Sequence, residues 1–277
     1  MKNIIKILIG ISALLALVAC ASLDSKPKQP RKIAVQMWSL HDVSLKEALE
    51  KLKGLDIDGV ECYPNQKIGG KYPNVLFNQN ITAEQKEYVK QLFKDNGLKM
   101  VSFGVVKGEK EEVIEALCKF VSEFGVKRII TEDRVLAFPL WQKYGEKYGI
   151  TMCLHHHALD AYNQYYDTYV VNKYTAPYSR IKSNPDVGHW VRSNISAVQS
   201  IKDLKGNIGS IHIKDEDAYG KMDSKAKILG EGFVDIPAIL KELDKQGYDG
   251  YFVIEYEDQW GKNVPLIKAC VDYLRMN

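Results

Sequence analysis

Eight short runs rich in β-branched and apolar residues recur between residues 32 and 257, separated by longer stretches of mixed polarity. Runs of this kind predict β-strands, and strands that alternate with helices predict a parallel sheet. The count of eight predicts that the sheet closes into a single (β/α)8 TIM barrel. An open, doubly wound sheet is the alternative, but no glycine-rich phosphate turn follows the first run. The predicted strands are 32–39, 57–64, 98–106, 126–132, 149–157, 180–186, 208–214 and 250–257.

The stretches between these strands have the pattern of surface helices. Three of them, 44–55, 82–97 and 111–125, alternate apolar and charged residues at helical spacing. The second begins with a capping-box pair, Thr82 and Gln85, and ends at Gly97. Both features are typical of helix ends, so this segment is predicted to be a helix.

The N-terminal segment is set apart from the barrel by its composition. Lys2 and Lys6 precede an apolar stretch, 7–17, that is too short to span a bilayer. The segment ends in LVAC, which resembles a bacterial lipobox, so residues 1–20 are predicted to be a lipoprotein signal peptide. Cys20 would then carry the lipid, and 21–31 would be a flexible tether that holds an exported domain at a membrane facing the periplasm. An ordinary signal peptide cut elsewhere is the alternative.

Residues 32–277 remain, close to the roughly 250 residues of a typical TIM barrel. Removal of Lys2 and Lys6 would reduce the formal charge from +3 to +1. We therefore expect no nucleic-acid partner and no membrane contact beyond the lipid. The four remaining cysteines show no CxxC spacing and fall in apolar patterns, so buried thiols are expected rather than disulfides. They are Cys62, Cys118, Cys153 and Cys270.

All six histidines lie at or just after the end of a predicted strand, where TIM barrels place their active sites. The most unusual stretch is ITMCLHHHA at 150–158, a strand that ends in three histidines. Side chains alternate along a strand, so His155 and His157 share one face and His156 takes the other. His156 is therefore predicted to be structural, and His41 is left open between structure and function.

Four neighbouring strands bring two imidazoles and two carboxylates to one rim: His155, Asp186, His212 and Glu255. This mixed set suits one divalent cation, with manganese or zinc favoured and cobalt or iron also suitable. A single strand-end histidine is more often structural, but the joint pattern favours a metal. Four further strand-end residues are predicted to contact a sugar, with core packing as the alternative for the first of them: Trp38, Glu61, His157 and Trp260.

The motifs DVGHW (186–190), HIKD (212–215), the HHH block and the segment 229–257 resemble those of the xylose isomerase-like TIM barrels, the sugar phosphate isomerases and epimerases. The resemblance covers essentially all of 32–277. In the epimerases of this family, a strand-5 glutamate, an aspartate, a histidine and a strand-8 glutamate hold the metal. The resemblance implies that the matching residues here, His155, Asp186, His212 and Glu255, are the metal ligands. It also implies that His189 contacts substrate or supports the ligands. His155 stands where the epimerases have a glutamate that also acts as a base.

These residues predict proton abstraction beside a sugar carbonyl, with a metal that stabilises the enediolate. Glu255 would be the base, and Lys214 or His189 the acid. Return of the proton gives isomerisation or epimerisation, whereas loss of a β-substituent gives elimination, or hydration in reverse. Export favours an unphosphorylated keto-sugar or 3-keto-glycoside, although LGEG at 229–232 could bind phosphate or form a turn. Less favoured alternatives are a non-catalytic sugar-binding lipoprotein and a nuclease of the AP endonuclease type.

Overall fold

The centre of the computed structural model is a ring of eight parallel strands, each of which falls inside one predicted strand. The structure describes residues 30–159 and 165–277. The predicted signal peptide, Cys20 and nearly all of the predicted tether lie outside this part of the chain. The strands are β1 (Lys32–Gln36), β2 (Gly59–Cys62), β3 (Met100–Val106), β4 (Arg128–Thr131), β5 (Thr151–His155), β6 (Ile181–Asn184), β7 (Ile211–Ile213) and β8 (Tyr251–Ile254).

Seven parallel ladders join these strands in the order β6-β5-β4-β3-β2-β1-β8-β7. The ring closes between β6 and β7 through two isolated parallel bridges, Ser183 with Ile208 and Asp186 with His212. The predicted barrel is therefore confirmed, and the open doubly wound sheet is not the fold. The second bridge also fixes Asp186 beside His212, since each is the other's partner in the closing seam.

Nine helices surround the strands in the described part of the chain. The three predicted ones are present, and Thr82, Gln85 and Gly97 form the expected capping box and left-handed C-cap. No described helix is long and apolar enough to cross a membrane. The helices are α1 (Leu45–Leu52), α2 (Ala83–Asn96), α3 (Glu111–Glu123), α4 (Phe138–Tyr148), α5 (Thr168–Thr175), α6 (Val187–Arg192), α7 (Ala197–Asp203), α8 (Ile236–Gln246) and α9 (Val264–Met276), and two 3₁₀ turns span Met37–Leu40 and Val135–Ala137.

Two antiparallel pairs outside the barrel were not expected from the sequence. Gln66–Gly69 pairs with Tyr72–Phe77 to form a hairpin between β2 and α2, and Asp215–Glu216 pairs with Ala226–Lys227. The hairpin packs directly on the start of α1. The contact is so close at Gly69, which has positive φ, that a Cβ there would collide with Ser44. Its strands carry lysine, asparagine and proline where a sheet would need apolar alternation, so the strand pattern is weak.

The barrel interior changes character along its axis. Near the amino ends, Ala34, Val101 and Val253 form a small apolar layer. Further toward the carboxyl ends, the inward residues are polar and buried, and they include Gln36, Glu61, Ser102 and His212. A buried polar layer needs internal partners, and these residues bond to one another through Glu61. The large apolar core lies instead between the strands and the helices. The four cysteines of this domain are buried free thiols, as expected.

Candidate active site

A cavity of about 320 Å³ opens at the carboxyl ends of the strands. This volume lies in the range of small-molecule sites. Its lining comes from strands all around the ring, and it joins aromatic rings to titratable side chains. The lining residues are Gln36, Trp38, Tyr63, Pro64, Gly104, Val105, Glu132, His155, His157, His189, Glu255 and Glu257.

The most enclosed part of the site is the imidazole of His212, which has carboxylates on both sides. Its Nε2 lies 2.6 Å from Glu61 Oε1, and its Nδ1 lies 3.1 Å from Glu255 Oε2. Burial opposes a charge here, but the two glutamates outweigh it and raise the pKa of His212 well above its usual value. A metal bound on the Glu255 side would displace the Nδ1 proton, while the Nε2 hydrogen would stay with Glu61.

Asp186 lies at the junction of β6 and α6, and its two oxygens have different environments. Oδ1 caps α6 by accepting from the backbone N–H groups of Gly188 and His189, both at 3.0 Å. Oδ2 is fully buried and accepts no hydrogen bond from the described residues. It lies 3.1 Å from Lys214 Nζ and 3.7 Å from His212 Nδ1. Burial opposes ionisation, but the Lys214 ammonium holds the pKa of this carboxyl well below its usual range.

The ammonium of Lys214 is buried among three carboxylates. Nζ lies 2.8 Å from Glu255 Oε2, 2.8 Å from Glu257 Oε2 and 3.1 Å from Asp186 Oδ2. Burial opposes the charge, but these carboxylates raise the pKa of Lys214 well above its usual value. The side chain reaches them by passing over Gly188, where a Cβ would collide with its Cγ and Cδ. The glycine of DVGHW is therefore required by this close approach.

Glu255 presents one oxygen to these cations and the other to the cavity. Lys214 and His212 both contact Oε2, whereas no described donor bonds to Oε1. Burial opposes ionisation here too, but Lys214 and His212 hold the pKa of Glu255 well below its usual range. The side chain lines the cavity, so an ionised oxygen faces the space that a substrate would fill.

The three histidines at the end of β5 differ in their surroundings. His155 Nδ1 lies 2.8 Å from Asn184 Oδ1, an atom that can only accept, so Nε2 carries the lone pair. His156 is fully buried, bonds to Ser183 Oγ at 2.7 Å and packs edge-on against Trp190. Burial lowers the pKa of His156 to about 3. His157 lines the cavity with its ring 4.1 Å from that of His189.

Two overlapping groups of side chains in the described chain have the geometry of a metal site. His155, Asp186 and His189 form one group, and Asp186, His212 and Glu255 form the other; within each, the candidate ligand atoms lie within 4.8 Å of one another. Asp186 belongs to both groups, and its buried Oδ2 accepts no hydrogen bond from the described residues, although the Lys214 ammonium lies 3.1 Å away. Imidazole with carboxylate is a donor set for divalent transition metals. The residues present therefore fit a divalent cation centred near Asp186.

The sequence profile of one family, described as the xylose isomerase-like TIM barrel, matches residues 139–275. These residues contain every candidate ligand. Over this segment the chain resembles the xylose isomerase-like TIM barrels. A search of curated proteins gives no significant match.

Solved structures similar to this barrel show the same fold over nearly the whole chain. An uncharacterized protein from Parabacteroides distasonis ATCC 8503 is 24% identical, with a TM-score of 0.73, 89% of this chain covered and 98% of the other. A xylose isomerase-like TIM barrel protein from Mycobacterium smegmatis in complex with magnesium is 14% identical (TM-score 0.69, coverage 91% and 98%). The 3-keto-D-glucoside 4-epimerase of E. coli is 17% identical (TM-score 0.68, coverage 89% and 100%).

The barrel brings all four predicted ligands into the two groups around Asp186, and it adds His189 to them. Burial lowers the pKa of His189 well below its usual value, and its Nδ1 has no partner among the described residues. His189 is therefore a neutral imidazole and a fifth possible ligand. His156 points away from the cavity, as strand parity predicted. Which of these residues bind metal stays a prediction.

The predicted sugar contacts are found in different places. Trp38 is 43% exposed and lines the cavity, so it is not a core residue. Trp260 is 41% exposed and packs edge-on against His41, but it does not line the cavity. His41 fills the space between the two tryptophans, with its ring stacked on Trp38 at 4.6 Å. His157 is in the cavity as expected.

The structure corrects the prediction that Glu61 contacts a sugar. The position of Glu61 in the sequence predicts a sugar contact, but its side chain is fully buried below the cavity lining. Its Oε1 accepts from Gln36 Nε2 at 2.7 Å and faces His212, and its Oε2 accepts from Ser102 Oγ at 2.5 Å. Strand-end position alone does not distinguish a residue at the rim from one directed into the barrel. Glu61 instead orients His212, as carboxylates behind ligand histidines commonly do.

Several polar residues of the site were missed in the sequence. Asn184 fixes the tautomer of His155, Glu257 binds Lys214, and Arg192 links Glu257 to Glu216. Glu257 could have been found, because it shares strand parity with Glu255. Arg192 gave no signal, since α6 brings it back over the rim. The LGEG segment is a turn: the N–H groups of Gly230 and Gly232 both donate to Asp215 at 2.9 Å, so neither is directed to a phosphate.

Proposed function

We propose that this protein is a divalent-metal-dependent enzyme of the isomerase and epimerase type. It moves a proton at the carbon beside the carbonyl of its substrate. The substrate is an unphosphorylated keto-sugar, most suitably a 3-keto-glycoside. The observation that carries the proposal is the set of ligand atoms around Asp186, which lies against a cavity lined by Glu255. A metal bound there would polarise the carbonyl and stabilise the enediolate. The similarity to the E. coli 3-keto-D-glucoside 4-epimerase supports the substrate class.

Glu255 is the proposed base. Its Oε1 is open to the cavity, while its Oε2 is held by Lys214 and His212. The Lys214 ammonium keeps the carboxylate ionised, and the contacts with Lys214 and His212 fix its orientation, so that it can accept a proton without reorganisation. Lys214 is already held by three carboxylates, so its proposed part is to hold Glu255 in place rather than to travel with a proton.

Epimerisation needs a second acid or base on the other side of the substrate carbon, and Glu132 is positioned to supply it. Glu132 directly follows β4 and lines the same cavity as Glu255. In the closed ring, β4 and β8 are four strands apart in both directions, so they are diametrically opposite. No described residue bonds to the Glu132 carboxylate, so it is available to a substrate. The epimerases of the family place their second glutamate on strand 5, where this chain has His155, so Glu132 on β4 would take over that role.

An elimination reaction is the second candidate, and the identity of His155 favours it. A metal-bound imidazole has no lone pair left to accept a proton, so β5 does not supply the base that the epimerases place there. If Glu132 does not replace that base, Glu255 alone can remove the α-proton while a β-substituent leaves. The first step is common to both reactions, and only the products differ.

Exchange of the α-hydrogen in deuterated water tests the first step. Methyl 3-keto-β-D-glucopyranoside with manganese- or zinc-loaded protein should incorporate deuterium, and Glu255→Gln should reduce the rate by about 10²-fold or more. Asp186→Ala should lose both metal and exchange. Glu123→Gln, on the outer surface of α3, is the control and should match wild type. Absence of exchange in the loaded wild type would reject the proposal.

Product analysis by NMR then separates the two reactions. Glu132→Gln should keep measurable exchange but form no epimer, because the proton returns only from the Glu255 side. If wild type instead releases an unsaturated keto-sugar, the enzyme is a lyase and Glu132 is not the second base.

A further inference from the structure

The 320 Å³ cavity that Glu255 lines is called the catalytic cavity here. A larger cavity, of about 620 Å³, borders it on the outer side of the barrel mouth. It lies between the start of α1 and the 66–77 hairpin, and we call it the rim cavity. Its lining includes His41, Asp42, Lys46, Gln66, Lys67 and Leu76. The hairpin is an insertion between β2 and α2 that the barrel itself does not need, so this cavity is a feature added to the fold.

The rim cavity and the catalytic cavity share a wall of aromatic rings. Tyr63 lines both cavities. Trp38 lines the catalytic cavity and His41 lines the rim cavity, and their two rings stack at 4.6 Å with an angle of 18°. Tyr63 also packs edge-on against Trp38 at 5.2 Å. Tyr63 is therefore the point at which a bound molecule could extend from one cavity toward the other.

Gln66 lines the rim cavity and holds an unused acceptor in its wall. Its side chain is 2% exposed, and its amide nitrogen donates to the backbone oxygens of Leu40 (3.3 Å) and Val43 (3.2 Å). Its Oε1 is buried and accepts no hydrogen bond from the described residues. A buried acceptor without a donor costs about 1–3 kcal/mol, so a ligand hydroxyl that reached Oε1 from the rim cavity would be favoured.

The chemistry of the remaining lining favours a neutral polar ligand. Asp42 and Glu47 are balanced by Lys46 and Lys67, so neither an anion nor a cation is preferred. Lys46 is paired with Glu50 at 2.6 Å, and Glu47 caps α1 through Ser44. Short polar groups and a few apolar surfaces, such as the 42% exposed Leu76, suit the hydroxyls and the ring faces of a sugar.

We propose that the rim cavity is a subsite for the second sugar residue of a disaccharide-type glycoside, whose oxidised sugar lies in the catalytic cavity. The inference rests on the proposed function for the identity of the oxidised sugar, but the subsite itself depends only on the rim cavity. It makes the preferred substrate a keto-disaccharide rather than a free keto-sugar. The group that bridges the two units would lie against Tyr63.

Binding measured without turnover tests the subsite. In calorimetry with metal-loaded Glu255→Gln protein, 3-keto-cellobiose oxidised on its non-reducing unit should bind at least about tenfold more tightly than methyl 3-keto-β-D-glucopyranoside. Adding Gln66→Leu should remove about tenfold of that affinity, and adding Leu76→Ala about three- to fivefold. Neither change should affect the methyl glycoside. Leu136→Ala, which is 85% exposed and lines neither cavity, is the matched control.

Equal affinity for the two glycosides, or variants that weaken both equally, would overturn the proposal. Tighter binding of phenyl 3-keto-β-D-glucopyranoside than of the disaccharide would also overturn it, since the cavity would then suit an aromatic group. Because Gln66→Leu could perturb the α1 contacts, Leu76→Ala provides the exposed second variant. If neither keto-sugar binds, the proposed function fails, but saturation-transfer NMR with unoxidised cellobiose still tests the subsite. A cellobiose signal that is lost in Gln66→Leu and in Leu76→Ala supports the subsite. Absence of a signal with the unsubstituted protein rejects it.

Discussion

Glu61→Gln is the substitution that most directly tests the architecture of the site. The carboxylate of Glu61 is fully buried and receives Gln36 and His212 on Oε1 and Ser102 on Oε2. Glutamine has the same shape, and its oxygen can face Gln36 and His212 while its NH₂ group donates to the Ser102 hydroxyl. All partners therefore stay bonded, and only the charge behind His212 is lost.

The size of the effect follows from that single change. Loss of a carboxylate behind a ligand histidine typically costs about 10–100-fold in metal affinity, or about 1.4–2.7 kcal/mol. Three charge-assisted hydrogen bonds become neutral, so the free energy of unfolding should also fall, by about 2–3 kcal/mol. Manganese and zinc affinity would be measured by competition with a chromophoric chelator, and stability by urea unfolding.

Ser102→Ala is the matched control for this experiment. It removes a donor from Oε2 and should cost about 1–3 kcal/mol of stability, but it leaves the charge and the contact with His212 unchanged. Metal affinity should then change less than about threefold. The reasoning would be refuted if folded Glu61→Gln binds metal as tightly as wild type, or if Ser102→Ala loses as much affinity as Glu61→Gln.

Three further outcomes are expected. His156→Ala should leave the metal content nearly unchanged but lower the free energy of unfolding by about 2–4 kcal/mol, because it opens a cavity against Trp190; metal analysis and urea unfolding check both parts. Gly188→Ala should keep the barrel, as judged by circular dichroism, but lower α-hydrogen exchange at least about tenfold, because its Cβ would displace Lys214; normal exchange would contradict this. Cys20→Ser should abolish metabolic labelling with a radioactive fatty acid in a bacterial host and release the protein into the soluble fraction, and an unlabelled wild type would contradict the lipoprotein prediction.

The sequence was sufficient for the strands of the barrel and for much of the site. Each barrel strand is a local apolar run, and periodicity reports local burial directly. Strand parity correctly separated His156 from His155 and His157, because alternation is a property of the backbone alone. The family motifs then identified Asp186 and His212, which the structure places side by side.

The tertiary structure decided what depends on distance around the ring rather than along the chain. Glu61 lies near the end of β2 and Trp38 just after the end of β1, yet Glu61 is directed into the barrel and Trp38 lines the cavity. The tilt and register of neighbouring strands determine this depth. The opposition of Glu132 and Glu255 exists only because β6 and β7 close the ring. The rim cavity likewise depends on a hairpin whose short, polar strands are held by their packing on α1 and carry little pattern of their own.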